Sequence, residues 1–211
     1  MRIAIALFDR FTALDAVGPY QVLSLLPGAE VVFVAERAGP VRNELGSLGV
    51  TADATLAEVS APDIVLVPGA PDVSAGRTEA MLDWLRAVDR TTTWTTSVCT
   101  GSLLLGAAGL LTGRTATTHW AAMAELGSLG ASPTGQRVVF DGKYVTAAGV
   151  SSGIDMGLAL AGRIAGDTVA QSIQLAIEYD PQPPYDAGSV DKAPAEVVAG
   201  VRALLGSTVQ T

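Results

Sequence analysis

The stretch "TTTWTTSVCTGSLLLGAAGLL", Thr91 to Leu111, changes character once, at the only cysteine of the chain. Before Cys99 the residues are mostly β-branched; after it they are mostly Leu, Gly and Ala. β-Branched side chains favour a strand and the second half favours a helix. We read a strand from Thr92 to Val98 and a helix from Gly101 to Ala108 that Gly109 stops. The strand shows no alternation of apolar and polar residues, as a parallel sheet covered on both faces requires.

Working outward, similar short runs recur at Arg2–Phe8, Ala29–Glu36, Asp63–Gly69 and Thr115–Thr118, with helical candidates at Val17–Leu26, Glu79–Val88 and Trp120–Leu126. Pro19 falls in the first turn of the first of these helices. Strand and helix in alternation predict an α/β fold. "RVVFDGKYVTAAG", Arg137–Gly149, differs, because a DG step between two β-rich arms predicts a tight hairpin. Two helices follow in "SSGIDMGLALAGRIAG" and "DTVAQSIQLAIEYD", the second with Asp167 as its N-cap. Pro181, Pro183 and Pro184 interrupt any helix, and a last amphipathic one runs from about Pro194 to Leu205. With 211 residues and no linker-like or repeated segment, a single domain over 1–211 is expected.

Composition narrows the function. A net charge of −8 disfavours a nucleic-acid partner, whose affinity comes largely from Lys and Arg on phosphates. The apolar start at Ile3–Phe8 is too short for a secretory core or a membrane span, so a cytoplasmic location with no membrane partner is expected. One Cys and one His, His119, make neither an internal disulfide nor an ordinary zinc site. The chemistry is therefore expected to need no bound metal.

If Val98 ends a buried parallel strand, Cys99 stands at the carboxyl edge of the sheet, where open α/β folds place ligands. The arrangement is like the nucleophile elbow of hydrolases, with sulfur in place of oxygen. A thiol with a pKa near 8.5 is only about 3% ionised at pH 7, and a helix N-terminus shifts it toward thiolate. The plain alternative is a small core hydrophobe.

Other residues converge on that edge. Asp15, after the first strand, reads either as a helix cap or as an acid beside the sulfur, in which case the two titrations are coupled. The backbone N–H groups of Gly69 and Ala70 in "VPGAP", with that of Thr100, are candidates to receive negative charge on a substrate. Thr100 reads as a helix cap or as a hydroxyl donated to the site. His119 is a candidate base or, more plainly, a hydrogen-bonded structural residue. Trp84, Trp94 and Trp120 read as core or interface aromatics.

"LDAVGPYQVL", "DIVLVPGA", "SVCTGSLLLGAAGLLTGRTATTHW", "AAGVSSGIDMGLALA" and "IEYDPQPPYDAGS" together resemble the ThiJ/PfpI superfamily and, within it, the branch of isocyanide hydratases, from about Ile3 to Ser189. The resemblance implies a flavodoxin-like, three-layer α/β sandwich of the class I glutamine amidotransferase type, with a mostly parallel central sheet. It implies a homodimer with sites near each Cys99 and a cofactor-free hydro-lyase that converts an isocyanide, R–N≡C, to the N-substituted formamide. In that reading the Cys99 thiolate attacks the terminal carbon, and Asp15 supplies the proton that carbon receives. Water, oriented by Asp15, then releases the product from the thioimidate. Thr100 steadies the sulfur, and Gly149 and Val150 match the loop lining the apolar substrate pocket.

Two other readings stay open. Proteolytic branches carry His where this chain has Thr100, and glyoxalase or deglycase branches carry Glu in place of Asp15, so both differences point away from those activities. Ligand-sensing domains of AraC-like regulators share the LDxxGP pattern but continue into a DNA-binding segment, for which nothing after Gly206 leaves room. A small-molecule or oxidation sensor is therefore the non-enzymatic alternative, although a resolving cysteine is lacking.

Overall fold

A computed structural model describes residues 1–208. The elements in chain order are β1 (Arg2–Ala6), α1 (Ala13–Leu23), β2 (Glu30–Ala35), β3 (Gly39–Arg42), β4 (Gly49–Ala52), β5 (Ala54–Thr55), β6 (Ile64–Val67), α2 (Glu79–Asp89) and β7 (Trp94–Val98). They continue with α3 (Gly101–Ala107), β8 (Thr115–Ala116), α4 (Met123–Ser128), β9 (Ser132–Pro133), β10 (Val138–Asp141), β11 (Tyr144–Ala147), α5 (Ser152–Ala165), α6 (Asp167–Ala176) and α7 (Ala195–Thr208).

The main sheet has seven strands in the order β10-β11-β7-β6-β1-β2-β5, parallel except for β10. All four residues of β6 are buried, as are four of the five in β1, which is why these strands read as unbroken apolar runs. Each such Val, Leu or Ile contributes about 1.5–3 kcal/mol by leaving water. Helices α1, α5 and α6 pack as one group, with α5 against β7, β10 and β11; α2, α3 and α4 form a second, with α3 against β6 and β7. The result is the expected three-layer α/β sandwich. The chain leaves β1 toward β2 on one side and reaches β6 on the other, so the order reverses at β1. Ligands bind outside the carboxyl ends of strands at such a reversal.

The hairpin forms as predicted, with β10 antiparallel to β11 and Asp141 opposite Tyr144. Its two loop residues are Gly142 and Lys143, one place later than the DG step suggested. Gly142 has φ +62°, which suits the first loop position of a type II′ turn.

Several boundaries differ from expectation. Helix α1 begins at Ala13, four residues before Val17, so Pro19 lies inside it and not in its first turn. Pro19 has no N–H to offer the carbonyl of Asp15, one turn earlier. Thr12 occupies the N-cap, and Glu44 reaches across to accept the N–H of Ala13 at 3.1 Å. Asp15 is therefore not a cap. Asp167 is the first residue of α6, after Gly166 at φ +86°.

The threonine-rich stretch Thr115–Thr118 is not a strand of the main sheet. Only β8 forms there, paired with β9 in a separate two-stranded sheet. The neighbouring threonines make their bonds elsewhere: the N–H of Thr117 donates to Thr146 Oγ1 at 2.9 Å, and Thr118 Oγ1 donates to the carbonyl of Cys99 at 3.0 Å. The β3–β4 hairpin was not foreseen; its alternating exposure and its Gly and Pro weaken the apolar signal. No described helix is long and apolar enough to cross a membrane.

Candidate active site

Three loops meet at the carboxyl end of the sheet: those after β1, β6 and β7. The last turns so sharply that Cys99 takes φ +58°, a left-handed conformation costly for a residue with a Cβ. The turn is held in place. The Cys99 N–H donates to the carbonyls of Ala147 and Ala148 at 3.1 and 3.0 Å, and the hydroxyls of Ser102 and Thr118 donate to its carbonyl. Gly101, which starts α3, lies almost on the end of β6. A Cβ there would stand 2.1 Å from the Val67 carbonyl oxygen and 2.8 Å from that of Pro68. Gly101→Ala is expected to destabilise the fold by about 3 kcal/mol or more, since backbone must move to make room. Urea denaturation reads this directly; a midpoint like that of the unaltered chain would show that β6 yields freely.

Asp15 is fully buried in the first turn of α1. Its Oδ2 accepts the N–H of Gly69 at 2.9 Å, while Oδ1 meets no hydrogen-bond donor of good geometry among the described residues. Residue 69 has no space for a side chain, because a Cβ would fall 2.5 Å from Thr100 Oγ1. Thr100 is tied to the same loop twice: its hydroxyl donates to the Ala70 carbonyl at 2.6 Å and accepts the Ala70 N–H at 2.9 Å. Both N–H groups of the Gly69–Ala70 step are thus already committed. Their expected role in receiving substrate charge gives way to one of holding the carboxyl of Asp15 and the hydroxyl of Thr100.

Burial pushes the Asp15 carboxyl up to about 7, against the opposing pull of the Gly69 N–H and of the Cys99 thiol; Glu44 adds a small push in the same direction as burial. Burial also pushes the Cys99 thiol up to about 12, helped by the charge of Asp15 and opposed by the N–H groups of Val150 and Thr100 and by the Thr100 hydroxyl. Burial thus opposes the shift toward thiolate that a helix N-terminus favours. The short helix α3 follows the sulfur, but a carboxylate and an apolar surround lie against it, and their combined effect wins. Above pH 7 the pair keeps one proton, mostly on sulfur.

Cys99 is 5% exposed, and that exposure opens into a cavity of about 840 Å³. Thr100, Ala70, His119 and Val150 also line it, whereas Asp15, Gly69 and Gly149 sit behind the wall. His119 is held in a structural way. Its Nδ1 accepts the N–H of Ala121 at 3.3 Å, its ring stands 5.4 Å from that of Trp120, and burial lowers its pKa. Gly149 packs beneath this ring, where a Cβ would come within 2.7 Å of Cδ2. Val150 holds φ +38°, strained for a β-branched residue, and so brings its N–H to the sulfur.

Sequence reasoning missed the brace behind Val150. Asp155 accepts from the Tyr179 hydroxyl at 2.8 Å and from the Arg137 guanidinium, which also donates to Ser151 Oγ at 3.2 Å. The "IEYD" segment carries Tyr179, but nothing in the sequence links it to Asp155 or Arg137. Also missed was Trp120 as a cavity wall, with Arg202 Cζ of α7 over its ring, 5.3 Å from the centre. Among the described residues no three His, Cys, Asp or Glu side chains gather as a metal would need.

A strained cysteine elbow facing a buried acid, on a doubly wound α/β sheet, defines a recognisable class of protein. The pattern of the DJ-1/PfpI family matches residues 1–163, and the chain belongs to that family. It is 43% identical to the isonitrile hydratase of Pseudomonas putida over 203 residues, 96% of this chain and 89% of that protein. A crystal structure of a ThiJ/PfpI family protein from Pseudomonas syringae superposes with a TM-score of 0.95 at 36% identity, covering 99% of this chain and 87% of that one. The HTH-type transcriptional regulator CdhR of Pseudomonas aeruginosa is 32% identical over 137 residues, 64% of this chain but 40% of the regulator.

Proposed function

We propose that the chain is an isocyanide hydratase, with Cys99 as nucleophile and Asp15 as the group that moves its proton. The observation that carries this is the thiol at the floor of the cavity, electrostatically coupled to a sealed carboxyl with a pKa near neutrality. The full-length similarity to a hydratase supports it.

The proton balance fits the substrate. An isocyanide has a terminal carbon that accepts a nucleophile and then carries a lone pair. As sulfur attacks, the Asp15 carboxylate takes the thiol proton and hands it to that carbon, giving R–N=CH–S–Cys99. Every atom of the S–H bond is thereby added across one carbon. Water then adds to the thioimidate carbon, and expulsion of sulfur, which regains a proton, leaves R–NH–CHO. The N–H groups of Val150 and Thr100 stabilise the sulfur while it is anionic. Thr100, tied to Ala70, keeps its place through both steps. No step calls for a cofactor.

Turnover of 4-nitrophenyl isocyanide, followed by absorbance as the formamide forms, tests the reading. Failure there with efficient consumption of methylglyoxal would move the chain to a glyoxalase-type activity. Asp15 must be ionised to accept the thiol proton, so kcat/KM is expected to rise about tenfold per pH unit below 7 and level off above it. A rate that falls through pH 7 would mean that Asp15 must start protonated. The oxidation-sensor alternative needs a thiolate at neutral pH, which the high thiol pKa disfavours.

The enzyme is further proposed to act in the cytoplasm as a homodimer. Leu14 and Val17 on α1 and Leu45 and Leu48 in the neighbouring loop, all exposed, offer apolar surface for that contact. Sedimentation should then give twice the 21.5 kDa of one chain.

A further inference from the structure

The cavity is much larger than the reacting group. About 840 Å³ is the volume of a site for a drug-sized molecule, so the R group has room to fill most of it. Four charged side chains stand in its wall: Asp72, Arg77, Glu125 and Arg202. Three are already satisfied. Asp72 accepts the N–H and hydroxyl of Ser74 at 2.9 and 2.8 Å, and Arg77 pairs with Glu125 at 3.0 Å. Arg202 has no carboxylate partner among the described residues and lies over the face of Trp120.

A cation–π contact uses the charge of a guanidinium without taking up its N–H donors, and those donors match a carboxylate. Arg202 is on α7, outside the residues matched by the family pattern, so this part of the wall is not a general feature of that pattern. Trp120 gives an aromatic surface beside it, and Cys99 lies in the same cavity.

Resting on the hydratase reading, we propose that the preferred substrates are aryl isocyanides bearing a carboxylate, with the anion held by Arg202 and the ring against Trp120. The isocyano carbon then faces Cys99.

The test compares 4-isocyanobenzoate with phenyl isocyanide. The unaltered enzyme should favour the anionic substrate in kcat/KM, and Arg202→Ala should lower the ratio of the two values by about tenfold, through KM, as expected for loss of a charge-assisted hydrogen bond. Arg202→Lys, which keeps the charge but not the fork, should fall between. Calorimetry with the product-like pair 4-formamidobenzoate and formanilide measures the same preference without turnover. A ratio near one in the unaltered chain, or one unmoved by Arg202→Ala, overturns the proposal. Absence of turnover with both isocyanides sinks the hydratase reading instead, while calorimetry still decides whether Arg202 selects the anion.

Discussion

Cys99→Ala is expected to lower isocyanide turnover by on the order of 10⁴-fold or more, because the neighbouring hydroxyl of Thr100 is tied to Ala70 and is a far weaker nucleophile than sulfur. Mass spectrometry of the unaltered enzyme quenched during turnover should find the thioimidate as a mass increase equal to that of the isocyanide, and the variant should show none. The fold should survive. Cys99 has a positive φ that alanine tolerates no worse than cysteine does, and the hydrogen bonds that hold the β7–α3 junction run through the backbone of Cys99, which the substitution keeps. Turnover by a folded Cys99→Ala variant at more than a few per cent of the normal rate would remove the sulfur from the mechanism.

Asp15→Asn should separate activity from stability. An amide cannot accept the thiol proton, so turnover should fall by about 10²–10⁴-fold. The stability change has the opposite sign. The carboxyl of Asp15 titrates near 7 in the folded chain against 3.8 in the unfolded reference, so the folded state binds more protons between those values. Stability from this group is intact below about pH 4 and is lost as pH rises through 7. By pH 8 the buried charge costs about 4 kcal/mol. Asparagine keeps an oxygen for the Gly69 N–H and carries no charge, but its NH₂ occupies a place where Oδ1 now meets no partner. That unsatisfied group offsets part of the gain, which leaves the variant about 1–3 kcal/mol more stable at pH 8 and little changed or weaker at pH 4. Chemical denaturation at the two pH values checks the crossover. Normal rates in this variant would leave Asp15 a purely structural role.

Much of the fold was legible because parallel strands leave a strong mark. Ile64–Val67 and Trp94–Val98 read as strands from composition alone, and the elbow at Cys99 followed from the change of residue type around it. The small elements were not legible. Thr115–Thr118 has the residues of a strand, yet which neighbour supplies its hydrogen bonds is a tertiary matter, and Thr146 and Cys99 took them. The start of α1 was misplaced for a similar reason: Glu44, distant in sequence, satisfies the first N–H in place of a local cap.

At the site, the sequence brought Cys99, Asp15 and Thr100 to one edge but left open which of the acid and the thiol holds the proton. Helix position is written in the sequence; burial is not, and burial decides where the proton rests. For the same reason Arg202 was invisible as part of the cavity, since α7 reaches it from more than eighty residues away in the chain.

The double commitment of the Gly69 and Ala70 amides also limits what chemistry the elbow supports. Esters and peptides develop an alkoxide when a thiol adds to them, and that oxygen needs vacant donors pointing at it. Here the donors at the head of β6 are spent on the enzyme's own side chains, so Gly69 and Ala70 offer such an oxygen no cradle. An isocyanide asks for something else, a hydrogen on carbon, which is the task proposed for the carboxyl of Asp15. The commitment of these two amides thus leaves the head of β6 without the donors that an acyl-transfer site would ask of it.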